Sequence, residues 1–356
     1  MDAELQNNDI KEQVTGKNIL LVNDLPGYGK VALAAMVPIL SRMGHYTFQL
    51  PTAVVSNTLD YGKFCIQDMT GYMKDTLAVW KGLGFEPDCI CTGFIVSEGQ
   101  ADLIGEYIQD LKSTSGRGQR QLPLVVVDPI MADGGKLYNG IGQERVLAMR
   151  KLAAHADVMM PNITEASFLT GIRPGQENGT QEELRELTDG LREISGKSVV
   201  ITSAVVKGEA GDSRAGGEKA QNSQAEGDKA RNSQLEGSQM GGGKAAGTRK
   251  DAQGRTPEEK EDREGVESGR HLVYGYDHWR QEYFQVPYEY LPVRVAGSGD
   301  IFSAIVTGSL LAGKPLKVAV EKAVQALSRL IVENRGHLQG YKGILVERYW
   351  DILGTF

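Results

Sequence analysis

Five short apolar runs, each closed by a polar or glycine-bearing turn and separated by helix-patterned segments, constrain this chain more than any other feature. They fall at 19–22, 88–92, 122–127, 157–160 and 198–202. Each is long enough for a buried strand and too short for a core helix. Helical patterns occupy 31–43, 69–84, 97–111, 146–155 and 182–194 between them. Strand and helix in alternation give βαβ units, whose parallel strands are covered on both faces. A further extended segment at 46–55 contains Pro51, read as a break in it. In the helix at 69–84, Met69, Tyr72, Met73, Leu77 and Trp80 form one stripe, read as core. Ser97 and Gln100 resemble a capping box for the next helix. Cys89 and Cys91 flank Ile90, so both face one side of their strand, and core packing is their expected role.

The alternation stops at 209–270. This stretch is rich in Gly, Ser, Gln, Lys and Glu, with almost no large apolar residues, and carries a near-repeat at 217–226 and 227–236. Such a composition cannot offset its ordering entropy by burial, so a disordered insertion is expected. Extended segments at 272–276 and 282–286 read as a hairpin after it, and 316–334 reads as a long helix on the sheet. The expected organisation is a flexible N-terminus at 1–16 and one domain at 17–356, interrupted by that insertion.

Gly297-Ser298-Gly299-Asp300 leads directly into a buried helix at 301–311. Glycines let the backbone approach a ligand closely. The first N–H groups of the helix lack intrahelical partners and lie at the positive end of its dipole, which makes an anion site. A carboxylate at the mouth of a phosphate site repels its ligand. Asp300 makes sense if it takes a proton from a hydroxyl that then attacks phosphorus. A plain helix cap remains the alternative reading. The earlier turn at 25–30 matches neither the phosphate-binding G-x-x-x-x-G-K-[ST] nor the dinucleotide G-x-G-x-x-G pattern.

Strand ends in a parallel sheet open on one edge, where ligands bind. Here that edge collects Asn23 and Asp24, Thr52, Asp128 with Asp133, and Asn162 with Glu165. Acidic groups beside an anion site imply a cation between them, and Mg²⁺ takes a few carboxylates, water and phosphate oxygens. The constellation therefore reads as phosphoryl transfer from a nucleotide to an alcohol, with Asp300 as base. The five histidines lie away from these motifs. A formal net charge of −7 without a basic stripe argues against nucleic acid as the main partner. Three cysteines give no disulfide framework, and neither a signal-peptide pattern nor a bilayer-length apolar run occurs. A cytoplasmic protein without membrane contact is expected.

Six stretches together resemble the pyridoxal/pyridoxamine kinases of the ribokinase superfamily: Val22-Asn-Asp-Leu-Pro-Gly-Tyr-Gly-Lys30, Leu50-Pro-Thr-Ala-Val54, Cys91-Thr-Gly-Phe94, Val127-Asp-Pro-Ile-Met-Ala-Asp133, Met160-Pro-Asn-Ile-Thr-Glu-Ala166 and Gly297-Ser-Gly-Asp-Ile-Phe302. The resemblance implies a three-layer α/β/α fold around a mostly parallel sheet. It also implies ATP, Mg²⁺, often K⁺, and phosphorylation of the 5′-hydroxymethyl group of a B6 vitamer. By position, Asp300 would be the catalytic base and Gly297, Ser298 and Gly299 the anion hole. Asn162 and Glu165 would lie near metal and phosphates, with Asp128 and Asp133 in the cation network and Thr202 and Ser203 by the nucleotide. Asn23, Thr52 and Phe94 would face the pyridine ring, and a homodimer would be common. Pro26, Ser298 and the stretch 56–62 depart from the pattern, which leaves the vitamer open. Two alternatives are a hydroxymethylpyrimidine kinase of the same architecture and a degenerate vitamer-binding protein.

Overall fold

The computed structural model describes residues 16–115, 121–138, 140–176, 178–206, 269–336 and 342–353. Strands β1 (Asn18–Pro26), β2 (Tyr46–Val55), β3 (Ile66–Asp68), β4 (Cys89–Thr92) and β5 (Leu124–Val127) come first in the chain. A small hairpin, β6 (Ala132–Asp133) and β7 (Lys136–Leu137), follows β5. Next come β8 (Val158–Met159), β9 (Asn178–Gly179), β10 (Ser198–Val206), β11 (Arg270–Asp277) and β12 (Glu282–Pro287). The main sheet runs β12-β11-β10-β8-β5-β4-β1-β2-β3, with β9 added to β10. Pairings from β10 through β2 are parallel; β3, β11 and β12 join antiparallel at the two edges. The chain steps from β1 to β2 on one side and returns as β4 on the other. The strand order therefore reverses at β1, where open α/β sheets bind ligands.

Period-two alternation sorts the core into two layers. Ile19, Leu21, Cys89, Cys91, Val126 and Val200 face one side, while Leu20, Val22, Ile90, Val125, Val127 and Val199 face the other. The first side is covered by α1 (Ala32–Arg42), α7 (Ser298–Leu311) and α8 (Leu316–Asn334). The second is covered by α2 (Thr70–Leu83), α3 (Glu98–Ser115), α4 (Gln143–Ala153), α5 (Ile163–Thr170) and α6 (Gln181–Ser195). The three-layer α/β/α expectation holds, and both buried cysteines are free thiols in the core.

Several local expectations are corrected. Pro51 does not break its strand: it pairs with Asn23, and β3 begins pairing only at Ala53, so its missing N–H costs no ladder bond. Met73 and Leu77 are buried, but Tyr72 lies off the stripe and is exposed. Ser97 Oγ accepts from Gln100 N at 3.3 Å, yet the Gln100 side chain accepts from Val96 N, one residue outside a reciprocal box. Arg270 belongs to β11 and not to the insertion. The hairpin after it forms as expected. The N-terminus at 1–15 and the segment 207–268 lie outside the described residues.

Candidate active site at the strand-end rim

Asp300 is the third residue of α7, whose N-cap is Gly297 in the left-handed conformation at φ 79°. A Cβ on Gly297 would sit 2.6 Å from the Lys30 carbonyl, so the close approach of the β1–α1 loop to this turn requires glycine. Gly299 has open space where a side chain would be. Ser298 N at this turn donates to the Val295 carbonyl at 3.3 Å, and the N–H groups of Gly297 and Gly299 flank it at the start of the buried helix.

The Asp300 carboxylate reaches beyond its own helix. One oxygen accepts from Ala32 N at 2.8 Å, the first residue of α1, and the other from Asn23 Nδ2 at 3.2 Å. Ala32 itself holds a positive φ of 48°, a strained backbone at the point of contact. Asn23 is fully spent on this anchoring, since its Oδ1 accepts from Asp24 N and Phe94 N. Burial raises the Asp300 pKa to about 6, against the pull of Ala32 N, the Asn23 amide and its own backbone N–H. A carboxylate with that affinity is ionised near neutral pH and still basic enough to take a proton.

Two more acids feel this charge. Asp128, at the end of β5, is buried and rises to about 7, first through desolvation and then through Asp300. Ser303, one turn after Asp300 on α7, donates to its Oδ2 at 2.7 Å. Asp24 also rises to about 7, by burial and then by Asp300. Sequence reasoning placed Asp24 on this edge without giving it a role, and passed over Ser303. The i, i+3 spacing of Asp300 and Ser303 was the available signal for the second.

Glu165 and Asn162 have a different employment. Asn162 is the N-cap of α5, and its Oδ1 accepts from Glu165 N at 2.8 Å. Glu165 returns the bond to Asn162 N at 2.9 Å, completing a capping box. Its other oxygen accepts from Met131 N and Ala132 N, and Asn162 Nδ2 donates to Ala132 O. Burial and then Asp128 push the Glu165 carboxyl well above its usual range despite those donors. The pair clamps the loop carrying Asp128 to α5. Asp133 is exposed on the β6–β7 hairpin. Among the described residues no three His, Cys, Asp or Glu side chains converge to hold an ion, and no helix is long and apolar enough to cross a membrane.

Thr52 is fully buried, and its hydroxyl donates to the Phe94 carbonyl at 2.8 Å. It therefore sets the Phe94 loop and does not itself face the rim. Phe94 is 8% exposed, with the Arg145 guanidinium 5.9 Å from its ring centre. Thr202 and Ser203 interrupt the β10–β11 ladder, and Ser203 takes a positive φ of 57°. Ser203 hydrogen-bonds Tyr288. Beyond it opens a cavity of about 510 Å³ lined by His271, Tyr288 and Tyr290, where His271 stacks on Tyr290 at 4.3 Å.

The chain is similar to several known proteins. The family described as phosphomethylpyrimidine kinase matches residues 37–245. The pyridoxine/pyridoxal/pyridoxamine kinase of Bordetella avium is 29% identical over 187 residues, 50% of this chain and 58% of that protein. The chain spans about half the length of the curated relatives it matches. A Bacteroides thetaiotaomicron protein, a candidate phosphomethylpyrimidine kinase solved in an orthorhombic form with pyridoxal, is 30% identical. It superposes with a TM-score of 0.71 over 95% of this chain and 96% of that one. The pyridoxal kinase of Leishmania donovani, solved with ADP and pyridoxamine, shares the fold at 19% identity, a TM-score of 0.68, and 94% and 95% coverage.

Proposed function

We propose, because the chain belongs to the phosphomethylpyrimidine kinase family, that it transfers the terminal phosphoryl group of ATP to the 5′-hydroxymethyl group of a B6 vitamer. The observation that carries this reading is the Asp300 carboxylate, ionised near neutral pH and fixed by Ala32 N and Asn23 beside the free N-terminus of α7. Asp300 takes the hydroxyl proton as the alcohol attacks. The N–H groups of Gly297, Ser298 and Gly299 receive the charge of the moving phosphoryl group, Ser298 N leaving the Val295 carbonyl to do so. Asn23 holds Asp300 in place and, through Phe94 N, holds the wall of the alcohol pocket, with Thr52 behind it. The nucleotide lies toward Thr202 and Ser203, and the flat cavity walled by His271 and Tyr290 suits its base. ADP in the Leishmania donovani kinase supports a nucleotide partner, and pyridoxal in the Bacteroides thetaiotaomicron protein supports the vitamer.

Mg²⁺, when bound, supplies charge neutralisation on the phosphate oxygens. Asp128 fits it, being a buried carboxylate with a single side-chain donor, and Asp133 would complete the set. Glu165 orders their loop. A homodimer in the cytoplasm belongs to the same reading. A second reading, a kinase for a hydroxymethylpyrimidine, is favoured by the family description and shares every catalytic group. A competition assay with ATP, the three vitamers and the pyrimidine alcohol separates the two. Ester formation on a vitamer is the expected result, and turnover of the pyrimidine alone overturns the vitamer assignment.

A further inference from the structure

Arg294 stands three residues before Gly297, in the loop that joins β12 to α7. Its guanidinium pairs with Asp60 at 2.7 Å, in the short helical turn that follows β2. Its charge also reaches Asp133, on the hairpin after β5, and the buried phenol of Tyr138 beside it. In the sheet, β4 and β1 lie between β5 and β2. One exposed arginine thus sits among loops around the ends of β4 and β1, near where Asp300 of α7 meets Asn23 of β1.

The surroundings make this placement chemically demanding. Asp24, Asp128 and Asp300 bring three buried or half-buried carboxylates to the same rim. Two cations near it are committed: Lys30 to Glu347, and Arg145 to the Ile95 carbonyl. The Arg294–Asp60 pair is largely exposed on the arginine side, so water screens it and breaking it costs little. A phosphate offers the same fork two or three oxygens and a greater charge than a carboxylate.

We propose that Arg294 is a phosphate-binding residue held in reserve by Asp60, turning from that carboxylate to the phosphate oxygens of a ligand at the α7 turn. The inference rests on the reading that this rim takes a phosphate-bearing ligand, either the nucleotide or the phosphorylated product. Asp60 then competes with the ligand for one cation, and the two residues act on binding in opposite directions.

Calorimetry on the full chain tests this with ADP, adenosine, pyridoxal 5′-phosphate and pyridoxal as probes, and a thermal melt confirms that each variant is folded. Arg294→Met should weaken ADP or pyridoxal 5′-phosphate by about tenfold or more while adenosine and pyridoxal stay within about twofold. Loss on ADP assigns the contact to the nucleotide, and loss on the phosphorylated vitamer assigns it to the product. Asp60→Asn should tighten the same ligand by about threefold, since it removes the competitor. Arg294→Lys should recover part of the loss. The proposal is overturned if the two substitutions shift affinity in the same direction, as a simple latch would. Equal loss on phosphorylated and unphosphorylated probes also overturns it, as does a wild-type chain that binds neither phosphate ligand. Wild-type protein that binds ADP but phosphorylates no alcohol removes the kinase reading instead, and leaves the Arg294 result standing on binding alone.

Discussion

Asp300 and Glu165 are both buried carboxylates on one rim, and they are held in opposite ways. Glu165 meets three backbone N–H groups drawn from its own helix cap and from the loop after β5. Asp300 meets one backbone N–H and one side-chain amide, both from elements far away in sequence. Glu165 is enclosed by local structure and serves it. Asp300 is presented at an open glycine turn, with its neighbours Asp24 and Asp128 perturbed by its charge. The origin of the donors separates an acid that serves its own helix cap from one on which distant elements converge, where residue type and burial do not.

The sharpest way to break this contrast is at Asp300. Asp300→Asn should lower turnover by on the order of 10² to 10⁴-fold, with calorimetric affinity for the alcohol and ADP kept within a few-fold. Unchanged turnover would remove Asp300 as the base and leave it a cap for α1. Glu165→Gln should behave inversely. Its amide places a donor against backbone N–H groups, costing about 1–3 kcal/mol in denaturant titrations, while kcat falls by less than about tenfold. A larger loss of kcat with unchanged stability would move Glu165 into the reacting group.

The smallest expected effects concern pH. The base must be ionised, so kcat/KM should climb as pH rises through about 6. Asn23→Ala removes a donor that favours the ionised form, so that limb should move upward; a limb that stays in place would assign it to another group. Stability should run the other way. Asp24, Asp128 and Asp300 all have folded-state values above their ordinary 3.8, so the native state binds more protons than the unfolded chain between about 4 and 7. Their contribution to stability is therefore present below that window and lost as pH rises through it. Asp128→Asn should flatten the decline and raise the Tm at pH 8, as scanning calorimetry at several pH values would show.

Much of the fold was legible because burial in a covered parallel sheet leaves so little choice of residue. Val125, Val126 and Val127 have to be apolar on both faces, and the bounds of Leu316–Asn334 follow from its stripe. What misled was local chemistry whose partner is distant. Pro51 looked like a break because its effect depends on where β3 begins to pair. The Asn-x-x-Glu spacing at Asn162 and Glu165 announces a capping box outright, yet a motif of ligand-binding type drew attention away from it. Thr52 was expected to face the ring, and nothing near it in the chain tells that its hydroxyl is taken by Phe94. Asp300 stood out in the sequence only through its glycine turn. Its anchors, Ala32 and Asn23, are 268 and 277 residues away and belong to packing.

The ladder between β10 and β11 closes with Val206 opposite Arg270. Everything the chain carries from 207 to 269 therefore departs and returns through a gap one strand spacing wide. To the sheet, that stretch counts as one bend whatever its length, since doubling a connection between fixed ends adds only about 0.6 kcal/mol of closure entropy. At this doorway a change in the length of the connection should leave the register of the strand-end rim as it is.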